Sequence, residues 1–221
     1  MRVLDLFSGL ESVANVARAR GHEVITLDFE PKFGADLQLD ILNFNPIAHL
    51  PAGWVPDMVW ASPPCEAFSV AALGHHWTGG KKAYIPATEW AKTSILIVAK
   101  TVALLEAWGD QGAVWFMENP VGVMRKLPSV QHLRRYTVTY CQYGDNRRKR
   151  TDIWTNSRHW LPRPMCSNGD RCHEAAPSGS RTGTQGMKNS AERAKIPTDL
   201  IETIFRSVEE ADDTKGQQEL L

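Results

Sequence analysis

The sequence predicts a doubly wound α/β sheet, and three observations carry that prediction. Short apolar runs rich in Val, Ile, Leu and Trp alternate with helical patterns along the first 120 residues. The runs end in glycine, proline or acidic residues, as parallel strands do where the chain turns into a loop. The composition, 43% hydrophobic and 23% charged over 221 residues, allows one substantial soluble core.

The elements follow in order. Val3-Leu4-Asp5-Leu6 is a short strand, Ser8-Gly9 a turn, and Ser12 to Arg20 a helix with Val13, Val16 and Ala17 on one face. Gly21 ends that helix in the left-handed conformation. Val24 to Leu27 is a second strand ending in Asp28, completing a βαβ unit whose strands must be parallel. Asp40-Ile41 lies near the end of a third strand, and Asp57 to Trp60 forms a fourth. Gly74 to Pro86 reads as a loop. Glu89 to Trp108 is an amphipathic helix with Ile95, Val98, Val102 and Leu105 at helical spacing. Ala113 to Met117 is a fifth strand running into Glu118-Asn119-Pro120. Tyr136 to Tyr140 and Asp152 to Trp154 form a strand pair around a basic cluster, and Pro197 to Val208 is a last helix. The boundaries are a core over residues 1–160, an irregular insertion over 161–190, a helix over 191–208 packing back on the core, and an acidic flexible tail over 209–221.

Function classes narrow by exclusion. No apolar run reaches the roughly 20 residues a membrane span requires, and the chain enters a strand at once, so no secretory signal is expected. Four irregularly spaced cysteines do not form a disulfide framework and fit a reducing, cytoplasmic compartment. Net charge is zero, so any nucleic-acid affinity must be local. Arg125, Lys126, Arg134, Arg135, Arg147, Arg148, Lys149 and Arg150 supply such a patch.

The chemistry gathers at strand carboxyl ends. Pro63-Pro64-Cys65-Glu66 follows the fourth strand, which the two prolines stop, leaving a thiol on a stiff loop as a candidate nucleophile. Asp5-Leu6-Phe7-Ser8-Gly9 is a strand-to-helix turn that lets a small ligand approach backbone amides. Asp28 and Asp40 sit on the same edge, where an acid commonly holds ribose; the set reads as a site for an adenosine-type cofactor. Glu118 ends the strand beside that of Cys65. A thiolate and a protonated carboxyl group together suit addition to a pyrimidine: the thiolate attacks C6, Glu118 donates to N3, and C5 becomes nucleophilic.

Four segments, Asp5 to Gly9, Ser62 to Ser69, Glu118 to Pro120 and Arg148 to Arg150, resemble in order the motifs of DNA cytosine-5 methyltransferases. The resemblance runs from residue 1 to about residue 155. It implies a Rossmann-like, S-adenosylmethionine-dependent methyltransferase sheet with one antiparallel strand, and methyl transfer to cytosine C5 in double-stranded DNA with base flipping. Cys65 would be the nucleophile, Glu118 would bind and protonate the ring, and Arg148 or Arg150 would hold the cytosine carbonyl or its phosphate. Phe7, Ser8, Gly9, Asp5, Asp28, Phe29, Asp40, Ile41 and Pro63 would surround S-adenosylmethionine. Ser62, Pro64, Glu66, Ser69, Asn119 and Arg147 would border the base.

The departures are specific. Glu66 replaces the family's usual glutamine and, unless paired, opposes thiolate formation. Glu11 stands where the family is glycine-rich. A small irregular insertion replaces the family's large target-recognition domain, as in compact enzymes of bacterial viruses, which associates the chain with restriction-modification and predicts a short or relaxed site. Arg158, Arg163, Arg171, Arg181 and Lys188 could contact phosphates there, with Gly179, Gly183 and Gly186 allowing close approach. Cys166, Cys172 and His173 lack the paired CxxC spacing of structural zinc sites; free thiols in a loop, and no metal, are expected. A monomer is favoured. The alternatives are the same chemistry on RNA or a free nucleotide, and a non-catalytic nucleic-acid-binding fold.

Overall fold

The computed structural model describes residues 1–174 and 193–218. Seven strands form one sheet: β1 (Arg2–Leu6), β2 (Glu23–Asp28), β3 (Leu37–Gln38), β4 (Met58–Ala61), β5 (Val114–Pro120), β6 (Arg135–Thr139) and β7 (Arg150–Thr155). The spatial order is β3-β2-β1-β4-β5-β7-β6. Strands β1 to β5 pair in parallel, and β7 runs antiparallel to both β5 and β6. This is the α/β sheet with one antiparallel strand that the motifs imply.

Strict alternation divides the sheet residues between two cores, because successive strand side chains point to opposite faces. Val3, Met58, Trp60, Phe116 and Ile153 pack on one face against helix α1 (Ser12–Ala19) and the last helix, α3 (Thr198–Gln218). Leu4, Leu6, Val59, Ala61, Trp115 and Met117 pack on the other, against helix α2 (Glu89–Asp110). Both faces are therefore covered, which explains why the strands read as continuous apolar runs rather than as alternating ones. Helix α2 starts where the Thr88 hydroxyl accepts from the Ala91 amide at 3.2 Å.

The structure differs from the sequence reading in three places. The third strand is only two residues long; Asp40 lies beyond it and caps a 3-10 turn over Ile41–Asn43, accepting from the Leu42 amide at 2.9 Å. The stretch from 74 to 86 contains a two-stranded hairpin, Trp77–Thr78 with Ile85–Pro86, rather than only loop. Helix α3 continues past residue 208 to Gln218. Glu209, assigned to the flexible tail, instead pairs with Arg20 and, at 2.8 Å, with His22. Residues 175–192, with Arg181, Lys188 and the glycines at 179, 183 and 186, lie outside the described residues. Among those described, no helix is long and apolar enough to cross a membrane.

Candidate active site

The adjacency of β4 and β5 fixes the site. Ala61 pairs with Met117, so the Pro-Pro loop leaves β4 level with Glu118. Three contacts hold that loop. The Asn119 amide donates to the Pro63 carbonyl at 2.8 Å, and Asn119 is fully buried. The Phe68 and Ser69 amides both donate to the Cys65 carbonyl at 3.0 Å, closing a tight turn around the cysteine. Ser69 bridges to Gly122, where the backbones approach so closely that a Cβ on Gly122 would sit 2.0 Å from the Phe68 carbonyl oxygen. Ala67 and Phe68 are fully buried and anchor the turn in the core. The Ser62 hydroxyl accepts from the Trp60 indole at 2.8 Å, so it serves the loop's geometry.

Cys65 is half-buried, and burial pushes its thiol up to about 11. The Glu118 carboxylate adds to that rise, Lys149 opposes it, and Glu66 adds again. Glu66 is exposed and has no ion pair among the described residues, so its charge acts on the thiol as the sequence anticipated.

Glu118 is buried, and desolvation raises its carboxyl above the usual range although Lys149 and the Tyr140 hydroxyl favour the anion. Tyr140 donates to Glu118 Oε1 at 2.9 Å, and Lys149 Nζ lies 3.9 Å from the same oxygen. The resemblance implies Arg148 or Arg150 at the cytosine carbonyl or its phosphate. Beside Glu118 the structure places the buried Lys149, the residue just before β7. The Arg148 guanidinium donates to the Cys166 carbonyl at 3.2 Å, and Arg150 is exposed. Arg147 is tied to Asp145 through its side chain and its amide. Tyr140 was not singled out in the sequence; its place as the first residue after β6 is the signal that could have found it.

Part of the basic cluster is structural. Arg125 makes a two-pronged contact with the fully buried Asp152, at 2.9 and 2.6 Å, and Arg134 donates to the Ser157 carbonyl.

The glycine turn departs from expectation in what its amides do. Phe7 and Ser8 both donate to the Leu27 carbonyl, and Gly9 donates to Asp28 Oδ2 at 2.9 Å. Those amides are already engaged. Asp28 ties the turn to the loop after β2, since its Oδ1 accepts from the Glu30 amide at 2.9 Å. Asp5 is buried and accepts from the Ala14 amide at 3.2 Å, serving as a remote cap for α1, whose own N-cap residue, Glu11, supplies none. Glu11 is instead paired with Arg18 at 2.8 Å. What faces outward on this edge is the Phe29 ring, 64% exposed, and the half-buried Asp40 carboxylate. The Ser8 hydroxyl is buried without a partner. An open aromatic ring, an acid at the next strand's end and an unpartnered buried hydroxyl fit a nucleoside-bearing cofactor.

No family model matches the chain. A protein of Frog virus 3 (isolate Goorha) named "Probable DNA (cytosine-5)-methyltransferase" is 28% identical over 216 residues, covering 91% of this chain and 97% of that protein. Among solved structures, an E. coli prophage protein named "putative DNA modification methyltransferase" superposes with a TM-score of 0.50 at 14% identity, over 75% of this chain and 52% of that one. The S. pombe Dnmt2 methyltransferase gives a TM-score of 0.47 at 13% identity, over 73% of this chain and 53% of that one. The chain thus spans about half the length of these solved structures. At 14% identity the likeness to the prophage protein is one of fold.

Proposed function

We propose that this chain is a DNA cytosine-5 methyltransferase that moves a methyl group from S-adenosylmethionine to C5 of cytosine through a covalent Cys65 intermediate. The observation that carries the reading is the convergence of Cys65, Glu118, Tyr140 and Lys149 at the ends of adjacent strands, inside a chain similar over nearly its full length to a viral protein of that name.

The chemistry follows from the protonation states. Once its proton has passed to solvent, the Cys65 thiolate adds to C6 of the cytosine, forming an S–C bond, breaking the C5–C6 π bond and placing electron density on the ring. Glu118, whose carboxyl burial raises, donates its proton to ring N3 and neutralises that charge; Tyr140 and Lys149 stabilise the carboxylate left behind. S-adenosylmethionine, when bound, supplies an electrophilic methyl group to C5. Phe29 would lie against its adenine and Asp40 would accept from the adenine amino group. Ser8 would bind its amino-acid part, and Asp28 would reach the ribose only with its remaining lone pairs. Loss of the C5 proton to solvent, breaking of the S–C6 bond and return of the N3 proton to the Glu118 carboxylate then restore the ring and free the Cys65 thiolate. The target base must leave the helical stack to reach Cys65. The small segment after β7 leaves few side chains for base readout, which favours a short recognition site.

The test is methyl transfer from labelled S-adenosylmethionine to duplex DNA, RNA and free cytidine nucleotide, with wild type and Cys65→Ala. Label on DNA cytosine from wild type alone supports the proposal. Label on RNA or nucleotide moves the substrate assignment; cofactor binding with no transfer to any substrate overturns it in favour of a binding fold.

A further inference from the structure

Four metal-ligating residues converge outside the active site. Cys141 lies in the turn Tyr140–Tyr143 after β6; Cys166, Cys172 and His173 come from the irregular segment after β7. Their three sulfurs and one ring nitrogen all lie within 4.8 Å of one another. Cys141 Sγ is 3.2 Å from Cys166 Sγ and 3.7 Å from Cys172 Sγ. His173 Nδ1 is 3.8 Å from Cys166 Sγ and 3.5 Å from Cys172 Sγ. Tetrahedral zinc, with Zn–S of about 2.3 Å and Zn–N of about 2.0 Å, requires S···S separations of about 3.8 Å and S···N separations of about 3.5 Å. The sulfurs are too far apart for a disulfide, whose S–S bond is about 2.05 Å.

The surroundings are those of a ligand shell. The Gln142 amide donates to Cys172 Sγ at 3.3 Å. The Cys166 amide donates to the Thr139 hydroxyl at 3.1 Å, fixing that cysteine against the end of β6. Arg148 reaches the Cys166 carbonyl, so a cation lies beside a centre of three thiolates, one neutral imidazole and Zn²⁺, whose net charge would be −1. Residues 161–174 form no helix or strand, so they lack the ladder bonds that hold other segments in place. Sequence spacing concealed the site because the fourth ligand, Cys141, lies 25 residues before Cys166.

We propose that Cys141, Cys166, Cys172 and His173 form a structural zinc site that fastens the segment after β7 to the turn after β6. Binding forms three Zn–S bonds and one Zn–N bond and releases the three thiol protons; no electron is transferred. With four protein ligands the metal has no open position, so its role is to hold structure. The β6–β7 connection that it would brace carries Tyr140 and Lys149, the two residues touching Glu118.

The experiment uses the full chain, expressed with added zinc and purified under reducing conditions. Metal content is measured by elemental mass spectrometry, and the metal-stripped chain is titrated with Co²⁺ as a spectroscopic stand-in. The proposal expects one zinc per chain, thiolate-to-cobalt charge-transfer bands with intense tetrahedral d–d absorption, and three thiols that become reactive only after chelation. Cys172→Ser, at an exposed position, and His173→Ala should each weaken retention at least tenfold, while Cys65→Ser keeps the metal. Wild type that takes up neither zinc nor cobalt overturns the proposal. So does undiminished binding in both variants, or a disulfide among these cysteines in place of metal.

Discussion

Lys149 Nζ lies 3.9 Å from Glu118 Oε1, with both side chains more than nine-tenths buried. The ammonium also sits 4.7 Å from the centroid of the Tyr140 ring, whose hydroxyl donates to the same Glu118 oxygen. One cation thus serves two acids. It favours the Glu118 anion, and it is the charge that lowers the Cys65 thiol against burial, Glu118 and Glu66. The site is built so that a proton held on Glu118 eases ionisation of Cys65, because the anion whose field opposes the thiolate is then absent.

Removing that cation should therefore act on both residues. Lys149→Met is expected to move the Cys65 thiol above its value of about 11 and to reduce kcat by on the order of 10²-fold, the usual cost of losing one charge-stabilising group. Lys149→Arg should recover part of the loss. Cofactor affinity, measured by calorimetry, should be unchanged, because Ser8, Phe29 and Asp40 follow β1, β2 and β3 rather than β7. An unchanged Cys65 titration in Lys149→Met would separate this lysine from the thiol.

The Cys65 thiol itself gives a pH prediction. With the thiol raised to about 11, the free protein holds it protonated at neutral pH, so alkylation of the Cys65 peptide should climb steeply only in strong alkali. Removing a neighbouring anion favours the thiolate and lowers the midpoint. Glu118→Gln should lower it more than Glu66→Gln, since Glu66 is exposed and its charge is screened by solvent. Peptide mass spectrometry of alkylated samples across pH measures both. The reverse order of shifts would show that Glu66, not Glu118, dominates the thiol's field.

The fold was legible because its signals are local. Alternating strands and helices, the Gly21 stop and the Pro63-Pro64 stop are all written in neighbouring residues. The site was legible only along β4 and β5, where Cys65 and Glu118 follow directly from strand ends. What sequence could not show depends on contacts between distant segments. The pull of Asp28 on the Gly9 amide spans 19 residues, and the contact of Tyr140 with Glu118 spans 22. That Lys149 lies against Glu118 depends on how the chain enters β7, which a run of three basic residues does not display.

Gly122 should be intolerant of any side chain. Its φ of −171° is ordinary extended backbone, so the constraint is space alone: a Cβ would lie 2.0 Å from the Phe68 carbonyl oxygen and 2.9 Å from its carbon. Those are backbone atoms of the turn that presents Cys65, and the Val123 amide also donates to the Phe68 oxygen at 2.8 Å. Gly122→Ala is expected to lower stability by about 2 kcal/mol, as overpacking does, and to lower kcat by displacing the cysteine loop. Denaturant melts and single-turnover transfer read the two effects separately. Wild-type values in both would mean that the bridge between Ser69 and Gly122 does not position the loop.

Asp5 should set part of the pH dependence of stability. Burial raises its carboxyl from 3.8 to about 7, with the Ala14 amide opposing the rise. In the folded chain the group therefore keeps its proton over a range where the unfolded chain has lost it. Stability from this group is full below about pH 4 and falls as pH rises toward 7. Above that it is constant, at a cost of at most about 4 kcal/mol. Asp5→Asn keeps an oxygen to accept from Ala14 and cannot ionise. The variant should match wild type near pH 4 and exceed it above pH 7 in urea denaturation without cofactor. If the two denaturation series stay parallel across that range, the Asp5 carboxyl ionises in the folded chain as it does in the unfolded one, and burial does not raise it.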